Sequence, residues 1–269
     1  MRYNFRNKTA VITGASSGIG KAIAFTLIKK YSCTLIAVAR NEERLLNAKS
    51  ELGELSDKYI VRPFDASSKE SWVKLAEDLK NTDAPIDILI NCAGILPKFK
   101  SGENSDEVER IFNINFFSQV YSVDALLPLL KESERGAIIN VASAAALCPF
   151  AGIASYAASK SASERYTAAL ACESKMFVSC ILPGFVKTDI MKNQGASEKE
   201  SKLFYKICAD LDKTVKKIMR RLRRGKSRII VGLDARMMNL LFKLFPKRAP
   251  RIITWFLRKT KLDIFKEIR

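Results

Sequence analysis

Seven short apolar runs, most of them followed by a longer amphipathic stretch, constrain this chain more than any other feature. Thr9–Thr13, Thr34–Ala39, Tyr59–Arg62, Ile86–Asn91, Ala137–Val141, Val178–Leu182 and Arg228–Val231 read as strands. Several are unbroken Val, Ile and Leu runs without polar alternation, the pattern of a strand covered on both faces. Ile19–Lys30, Glu42–Leu52, Lys69–Leu79, Val108–Leu130, Ser155–Lys175 and Glu198–Arg223 read as helices. Strand–helix alternation of this kind predicts an α/β fold, a doubly wound and mostly parallel sheet with helices on both faces. No internal repeat, low-complexity tract or Gly/Pro/Ser-rich linker interrupts it. The economical organisation is one domain over residues 1–232 with a basic extension over 233–269, and at 48% hydrophobic the 269 residues can bury a single large core.

The chain contains no histidine. Mechanisms that need an imidazole base are therefore excluded, including the Ser-His-Asp and Cys-His arrangements, as are His-ligated metals. Acid–base chemistry falls to Tyr, Lys, Cys, Asp or Glu. Cys33, Cys92, Cys148, Cys172, Cys180 and Cys208 are scattered, form no C-x-x-C pair and mostly sit among apolar neighbours. That spacing fits buried thiols in a reducing compartment better than a zinc site or disulfides, and no metal is expected. The N-terminal residues reach the first strand by Thr9 without an apolar stretch that would read as a secretory signal. Nor is there an uninterrupted apolar run of about 18 residues. The expected location is cytosolic, either free or peripheral on the inner face of a membrane.

Net charge is +18, and it is unevenly placed. Residues before Lys213 carry 27 basic and 25 acidic side chains, whereas Lys213 to Arg269 carry 19 basic and 3 acidic. The same terminal segment holds the apolar clusters Met237–Phe245 and Ile252–Leu257, separated by Pro246 and Pro250. Basic residues interleaved with Trp, Phe and Leu suit an interfacial segment attracted to anionic lipid headgroups. The plainer alternative packs those clusters on the protein's own body or on a second subunit and leaves the charges solvated. No nucleic-acid module accompanies the charge, so nucleic acid is not an expected partner.

The first strand–helix junction reads Thr13-Gly14-Ala15-Ser16-Ser17-Gly18-Ile19-Gly20. Glycines at such a turn let backbone N–H groups and the positive end of a helix approach a pyrophosphate. A tight turn that binds nothing is the competing reading, but the position after a strand and before a helix favours a dinucleotide. The second strand ends Val38-Ala39-Arg40-Asn41, with no carboxylate to hold a ribose 2′-hydroxyl. Arg40 offers a permanently charged planar fork suited to a 2′-phosphate, which favours NADP(H). Alternatively it is a surface arginine pairing with Glu43.

Tyr156-Ala157-Ala158-Ser159-Lys160 opens a predicted helix, so its phenol and ammonium share one face. A nearby cation favours phenolate, and each pH unit by which a phenol's pKa falls corresponds to about 1.4 kcal/mol. Tyr-x-x-x-Lys alone is common on ordinary helices. Here the preceding strand ends Asn140-Val141-Ala142-Ser143, which delivers a hydroxyl to the carboxyl edge of the sheet, where open α/β sheets bind ligands.

Taken together, Thr13-Gly14-x-x-x-Gly18-x-Gly20, Asn91-Cys92-Ala93-Gly94, Asn115, Ser143, Tyr156-x-x-x-Lys160 and Pro183-Gly184 with Thr188 resemble the short-chain dehydrogenase/reductase family, in its classical branch. The similarity spans roughly Lys8 to Gly232, and Ser143 precedes Tyr156 by 13 positions, a family-like spacing. It implies a Rossmann-type sheet and an NADP(H)-dependent oxidoreductase that interconverts a ketone and a secondary alcohol. Under that resemblance Tyr156 is the general acid/base, Ser143 hydrogen-bonds the substrate oxygen, Lys160 lowers the tyrosine pKa and holds the nicotinamide ribose, and Asn115 props a proton-relaying water. Gly14, Ser16, Ser17, Gly18, Ile19 and Gly20 would cradle the cofactor, with Arg40 on the 2′-phosphate and Asp65 on the adenine amine. Asn91, Ala93 and Gly94 would line its adenosine side and Pro183, Gly184 and Thr188 its nicotinamide.

Cys92 replaces the second Asn of the usual Asn-Asn-Ala-Gly, Phe117 stands where a glycine often follows the helical asparagine, and Ala142 and Ala145 vary the segment around Ser143. None removes a reacting group. By resemblance 189–207 forms a substrate lid bringing Ile190, Met191, Leu203, Phe204 and Tyr205, while Leu147, Pro149, Phe150 and Ile153 come from the loop before Tyr156. Such a lining favours a bulky, steroid-like or lipid-like carbonyl. Two alternatives stay open: a 3-ketoacyl reductase whose basic tail docks an acidic carrier protein, and a non-catalytic NADP(H)-binding sensor or scaffold. The resemblance also implies a dimer or tetramer built on Val108–Leu130 and Ser155–Lys175, through residues such as Phe116, Val120 and Leu170.

Overall fold

The computed structural model describes residues 2–81, 85–188, 205–206, 208–260, 265 and 268. Its strands are β1 (Thr9–Thr13), β2 (Thr34–Ala39), β3 (Tyr59–Pro63), β4 (Ile88–Asn91), β5 (Ala137–Val141), β6 (Phe177–Pro183) and β7 (Arg228–Val231). The helices are α1 (Gly18–Tyr31), α2 (Glu42–Ser50), α3 (Lys69–Lys80), α4 (Ser105–Phe112), α5 (Ser118–Glu132), α6 (Ala154–Glu173), α7 (Leu211–Arg223), α8 (Leu233–Leu244) and α9 (Ala249–Lys259). The strands form one parallel sheet in the order β3-β2-β1-β4-β5-β6-β7. Ile12 of β1 pairs with Ala37 of β2 on one side and Ile90 of β4 on the other. The chain therefore winds outward to β3 and then reverses across β1, which opens a crevice at the carboxyl ends of β1 and β4.

Successive strand side chains point to opposite faces. Ile12, Ala37 and Ile90 enter one core layer, against Ile23 and Leu27 of α1 and Ile218 and Leu222 of α7. Val11, Ile36 and Leu89 enter the other, against Trp72 and Leu75 of α3 and Leu126 and Leu130 of α5. Both faces are covered, which is why the strands show no polar alternation. Fully burying each of the Val, Ile and Leu side chains contributes about 1.5–3 kcal/mol over leaving it in water.

Two predicted helices differ from what forms. Val108–Leu130 is broken into α4 and α5 by a wide π turn at Asn113–Phe117. There the fully buried Asn115 side chain bonds the Ile95 main chain through both its oxygen and its nitrogen. That pull from outside the helix competes with regular winding. The other, Glu198–Arg223, is not one continuous helix: Tyr205 and Lys206 are helical, but helix α7 begins anew at Leu211. Ala209 bridges to Val186 instead, and the Asp210 side chain caps α7 by accepting from Lys213 N at 2.9 Å.

Beyond Gly232 the chain continues as α8 and α9. Their residues Ala235, Met238, Ala249 and Leu257, with Phe265 and Ile268, join Phe99, Phe150 and Ile153 in one apolar cluster beside the crevice. One side of the terminal segment thus packs on the protein's own body.

Candidate active site

The turn after β1 is shaped by what a side chain would hit. Gly14 and Gly18 have φ of 68° and 53°, and a Cβ at Gly20 would run into the Gly14 carbonyl oxygen. Glycine alone relieves both problems. The turn feeds α1, whose first turn carries no acidic residue and no side-chain cap from Ser17. Its N–H groups and positive dipole end therefore stay open to an anion. Thr13 Oγ1 accepts from the N–H groups of Cys92 and Ala93, each at 2.9 Å, locking Asn91-Cys92-Ala93-Gly94 against the turn.

Ser143 follows β5, and its Oγ accepts from Ala145 N at 3.2 Å at the head of a short 3-10 turn. Across the crevice, α6 begins two residues before Tyr156. Glu103 anchors that start: its two carboxylate oxygens accept from Ser155 N at 2.8 Å and Ser155 Oγ at 2.7 Å. One helical turn on, Lys160 Nζ lies 6.0 Å from the Tyr156 ring centre and donates to the Val141 carbonyl at 3.2 Å. Burial leaves Lys160 only 4% exposed and holds its ammonium pKa down at about 8. Burial also raises the Tyr156 phenol, against a lesser lowering from its hydrogen bond with Ser143. The protein by itself therefore keeps Tyr156 neutral. Cys92, nearby, is pushed up to about 12 by burial and stays a neutral thiol.

Asn115 stands behind this pair. Besides its bonds to Ile95, its Nδ2 donates to Ser159 Oγ at 3.2 Å, and its main-chain carbonyl accepts from Gln119 Nε2 at 3.1 Å. Gln119 Oε1 in turn accepts from Ser163 at 2.6 Å, joining α5 to α6. Asn91 is likewise internal, donating to Asn140 and accepting from Ser122.

A cavity of about 390 Å³ unites most of the residues singled out from sequence: Gly14, Ser17, Gly18, Ile19, Gly20, Ala93, Gly94, Ser143, Tyr156, Lys160, Pro183, Gly184 and Thr188. Ser16, Asn91 and Asn115 are not on its wall, and Arg40 and Asp65 line a separate depression at the ends of β2 and β3. Arg40 pairs there with Asp65 at 3.8 Å rather than with Glu43, while Asp65 accepts from Ser67 N and Oγ. The cavity's far end is apolar, with Leu96, Phe99, Phe150, Ile153 and Met238. Leu147 is not part of it: it packs with Ala142, Cys180 and Leu182 in the core, and Pro149 is exposed. The lid residues Ile190, Met191, Leu203 and Phe204 lie outside the described residues. Tyr205 donates to the Thr188 carbonyl at 3.1 Å.

Sequence reasoning missed several contributors. Arg44 lines the cavity beside the glycine turn, four positions after Arg40. Asp234 of α8 accepts from Phe185 N at 2.6 Å and would collide with any side chain at Gly184, so it braces the loop after β6. Asp234 lies 49 positions from Phe185, and no local pattern joins them. Glu103 to Ser155 spans a similar gap, whereas Thr13 stood in the quoted motif and its polar side chain at a buried strand end was a usable signal.

An extended cavity with a glycine-built, uncapped helix N-terminus at one end and a Tyr–Lys–Ser group at the other fits a nicotinamide dinucleotide. At Gly94 a Cβ would lie 3.0 Å from Lys160 Nζ and 3.2 Å from Asn115 Oδ1, so this loop runs close against both side chains. Residues 8–199 match the family described as short chain dehydrogenase. Benzil reductase ((S)-benzoin forming) of Saccharomyces cerevisiae is 34% identical over 229 residues, covering 77% of this chain and 86% of that one. For the 3-ketodihydrosphingosine reductase of Bos taurus the figures are 30% over 250 residues, 86% and 73%. A solved short-chain dehydrogenase from Sphingobium yanoikuyae in complex with NADPH superposes with a TM-score of 0.71 at 25% identity, covering 83% of this chain and 87% of that one. The chain belongs to the short-chain dehydrogenase/reductase family of nicotinamide-dependent oxidoreductases.

Proposed function

We propose that this protein reduces a ketone on a bulky, lipid-like molecule to a secondary alcohol with NADPH. The observation that carries this reading is the apolar far end of the cavity meeting the Ser143–Tyr156–Lys160 group. A carbonyl on an apolar body would rest its body against Phe99, Phe150 and Met238 and turn its oxygen to the two hydroxyls. The names of two relatives, a reductase of benzil and one of 3-ketodihydrosphingosine, point to the same substrate character.

When bound, the nicotinamide supplies a hydride to the carbonyl carbon. Ser143 donates a hydrogen bond to the carbonyl oxygen and orients it. Tyr156 gives that oxygen its proton as negative charge develops there, completing the alcohol. Because burial keeps the phenol protonated, the resting site holds the acid that reduction needs. Lys160 stabilises the phenolate left behind by opposite charge, and its low pKa lets it pass a proton on. Asn115 fixes the loop carrying Gly94 through its two side-chain bonds to Ile95, and so steadies the site behind Lys160, where it would prop a relaying water.

Support for the phosphorylated cofactor comes from Arg40 and Arg44. Arg40 is 61% exposed, is only loosely paired, and stands with Asn41 at the end of β2 where a carboxylate would hold a ribose hydroxyl. The test is NADPH consumption with purified protein across long-chain 3-ketones, steroid ketones and aromatic diketones, with NADH in parallel. Turnover of at least one bulky ketone, faster with NADPH, supports the reading. Tight NADPH binding without turnover of any of them refutes the reductase and leaves the sensor reading, while absent NADPH binding refutes the cofactor assignment.

A further inference from the structure

The two terminal helices have one face that nothing in the described structure covers. α8 buries Ala235 and Met238 but exposes Leu233, Met237, Leu240 and Leu244, spaced 4, 3 and 4 residues apart and so aligned as one stripe. The turn adds Phe245 at 49% exposure, and α9 adds Ile252, Trp255 and Phe256 at 44, 60 and 60%. Eight large apolar side chains on two short, consecutive helices form a patch of the kind that marks an interaction surface.

Charge identifies the partner. Over residues 233–260 there are seven basic side chains, Arg236, Lys243, Lys247, Arg248, Arg251, Arg258 and Lys259, all exposed, against one acidic one. That one, Asp234, is engaged with Phe185 N. A second copy of the same face would set seven cations against seven. An anionic lipid surface satisfies both features, since headgroups take the Lys and Arg side chains while Trp, Phe and Leu sit at the acyl boundary. At 12 and 11 residues neither helix approaches the roughly 20 needed to span a bilayer, and among the described residues no helix is long and apolar enough to cross one.

We infer that α8 and α9 form a docking face by which the protein lies on an anionic membrane surface. The same helix that turns Met237 and Leu240 outward gives Met238 to the cavity, so docking brings the cavity within about one helix diameter, about 10 Å, of the lipid. A lipid-like ketone would then reach the site from the bilayer; this last point rests on the reductase reading, whereas docking does not.

Trp255 makes the test direct. The chain has two tryptophans, and the other, Trp72, is fully buried with its indole N–H on the Ala66 carbonyl. Full-length protein without cofactor is titrated with vesicles of phosphatidylcholine alone and of phosphatidylcholine with phosphatidylserine, following tryptophan emission and co-sedimentation. The inference predicts a blue shift and quenching by brominated acyl chains with the anionic vesicles only, both lost in Trp255→Phe. The triple variant Lys247→Gln, Arg248→Gln, Arg251→Gln weakens binding about a hundredfold, with NADPH binding and turnover of a water-soluble ketone unchanged. Failure to bind anionic vesicles overturns the docking face, and so does a blue shift that appears without lipid and grows with protein concentration, since a second copy would then occupy it. Neither outcome touches the reductase, which is read separately from NADPH consumption.

Discussion

Replacing Lys160 with methionine should alter how stability depends on pH, by an amount the structure sets. A lysine that ordinarily titrates at 10.5 but is held at about 8 by burial binds its proton less tightly in the folded than in the unfolded protein. Converted at about 1.4 kcal/mol per pH unit, the penalty of carrying that ammonium inside is about 3 kcal/mol. Below the folded pKa both states are protonated and the penalty is felt in full. Between about pH 8 and 10.5 only the unfolded chain keeps the proton, so stability rises with pH, and above that range the penalty is gone. Linkage gives a relief of about 2 kcal/mol between pH 7 and 9.5. Loss of the bond to the Val141 carbonyl also destabilises Lys160→Met, but by an amount that changes little with pH. The assay is urea unfolding of cofactor-free protein and of Lys160→Met at both pH values, read by the buried Trp72. The expected result is that wild type gains about 2 kcal/mol on the variant at the higher pH. An unchanged gap, or one that moves the other way, refutes the account of a lysine strained by burial.

Other consequences are equally direct. Tyr156→Phe should cut the reduction rate about 10²–10⁴-fold while NADPH affinity, measured by fluorescence titration, holds within a few fold. Because reduction needs the neutral phenol, whose pKa burial raises, and the Lys160 ammonium, held at about 8, the wild-type reduction rate should stay flat from about pH 6 to 7 and fall in more alkaline solution; a rate that climbs through neutrality would assign the acid elsewhere. Thr13→Val leaves the Cys92 and Ala93 N–H groups without their acceptor and should cost about 2 kcal/mol or more in urea unfolding. Arg40→Asp should lower kcat/KM for NADPH about tenfold to a hundredfold without a matching loss for NADH, as initial-rate kinetics would show.

The sheet was legible because its chemistry is local. Short unbroken apolar runs such as Leu35-Ile36-Ala37-Val38 fit strands covered on both faces, and four of the seven strands begin and end at the predicted residues. Glycine positions were readable for the same reason, since Gly14, Gly18 and Gly20 answer to their own turn. What escaped depends on partners far along the chain. Asn115 leaves the regular helix because Ile95 claims its amide, and helical winding is interrupted ahead of Leu211 because Ala209 bridges to Val186. Glu103 at the head of α6 and Asp234 beneath Phe185 hold the site through tertiary contacts that no window of sequence contains. The terminal helices lay between these extremes. Their mixed apolar and basic composition left self-packing and lipid binding open, and only the fold separates Met238 on the inside from Met237 and Leu240 on the outside.

One measurement bears most directly on the central reading: the fate of deuterium from NADPH labelled on its nicotinamide ring, during turnover of a bulky ketone by wild type and Tyr156→Phe. Mass analysis should find one deuterium on the carbinol carbon of the wild-type product and essentially no product from the variant. Label absent from that carbon, or a variant that reduces the ketone at the wild-type rate, would contradict hydride transfer to a carbonyl whose oxygen Tyr156 protonates.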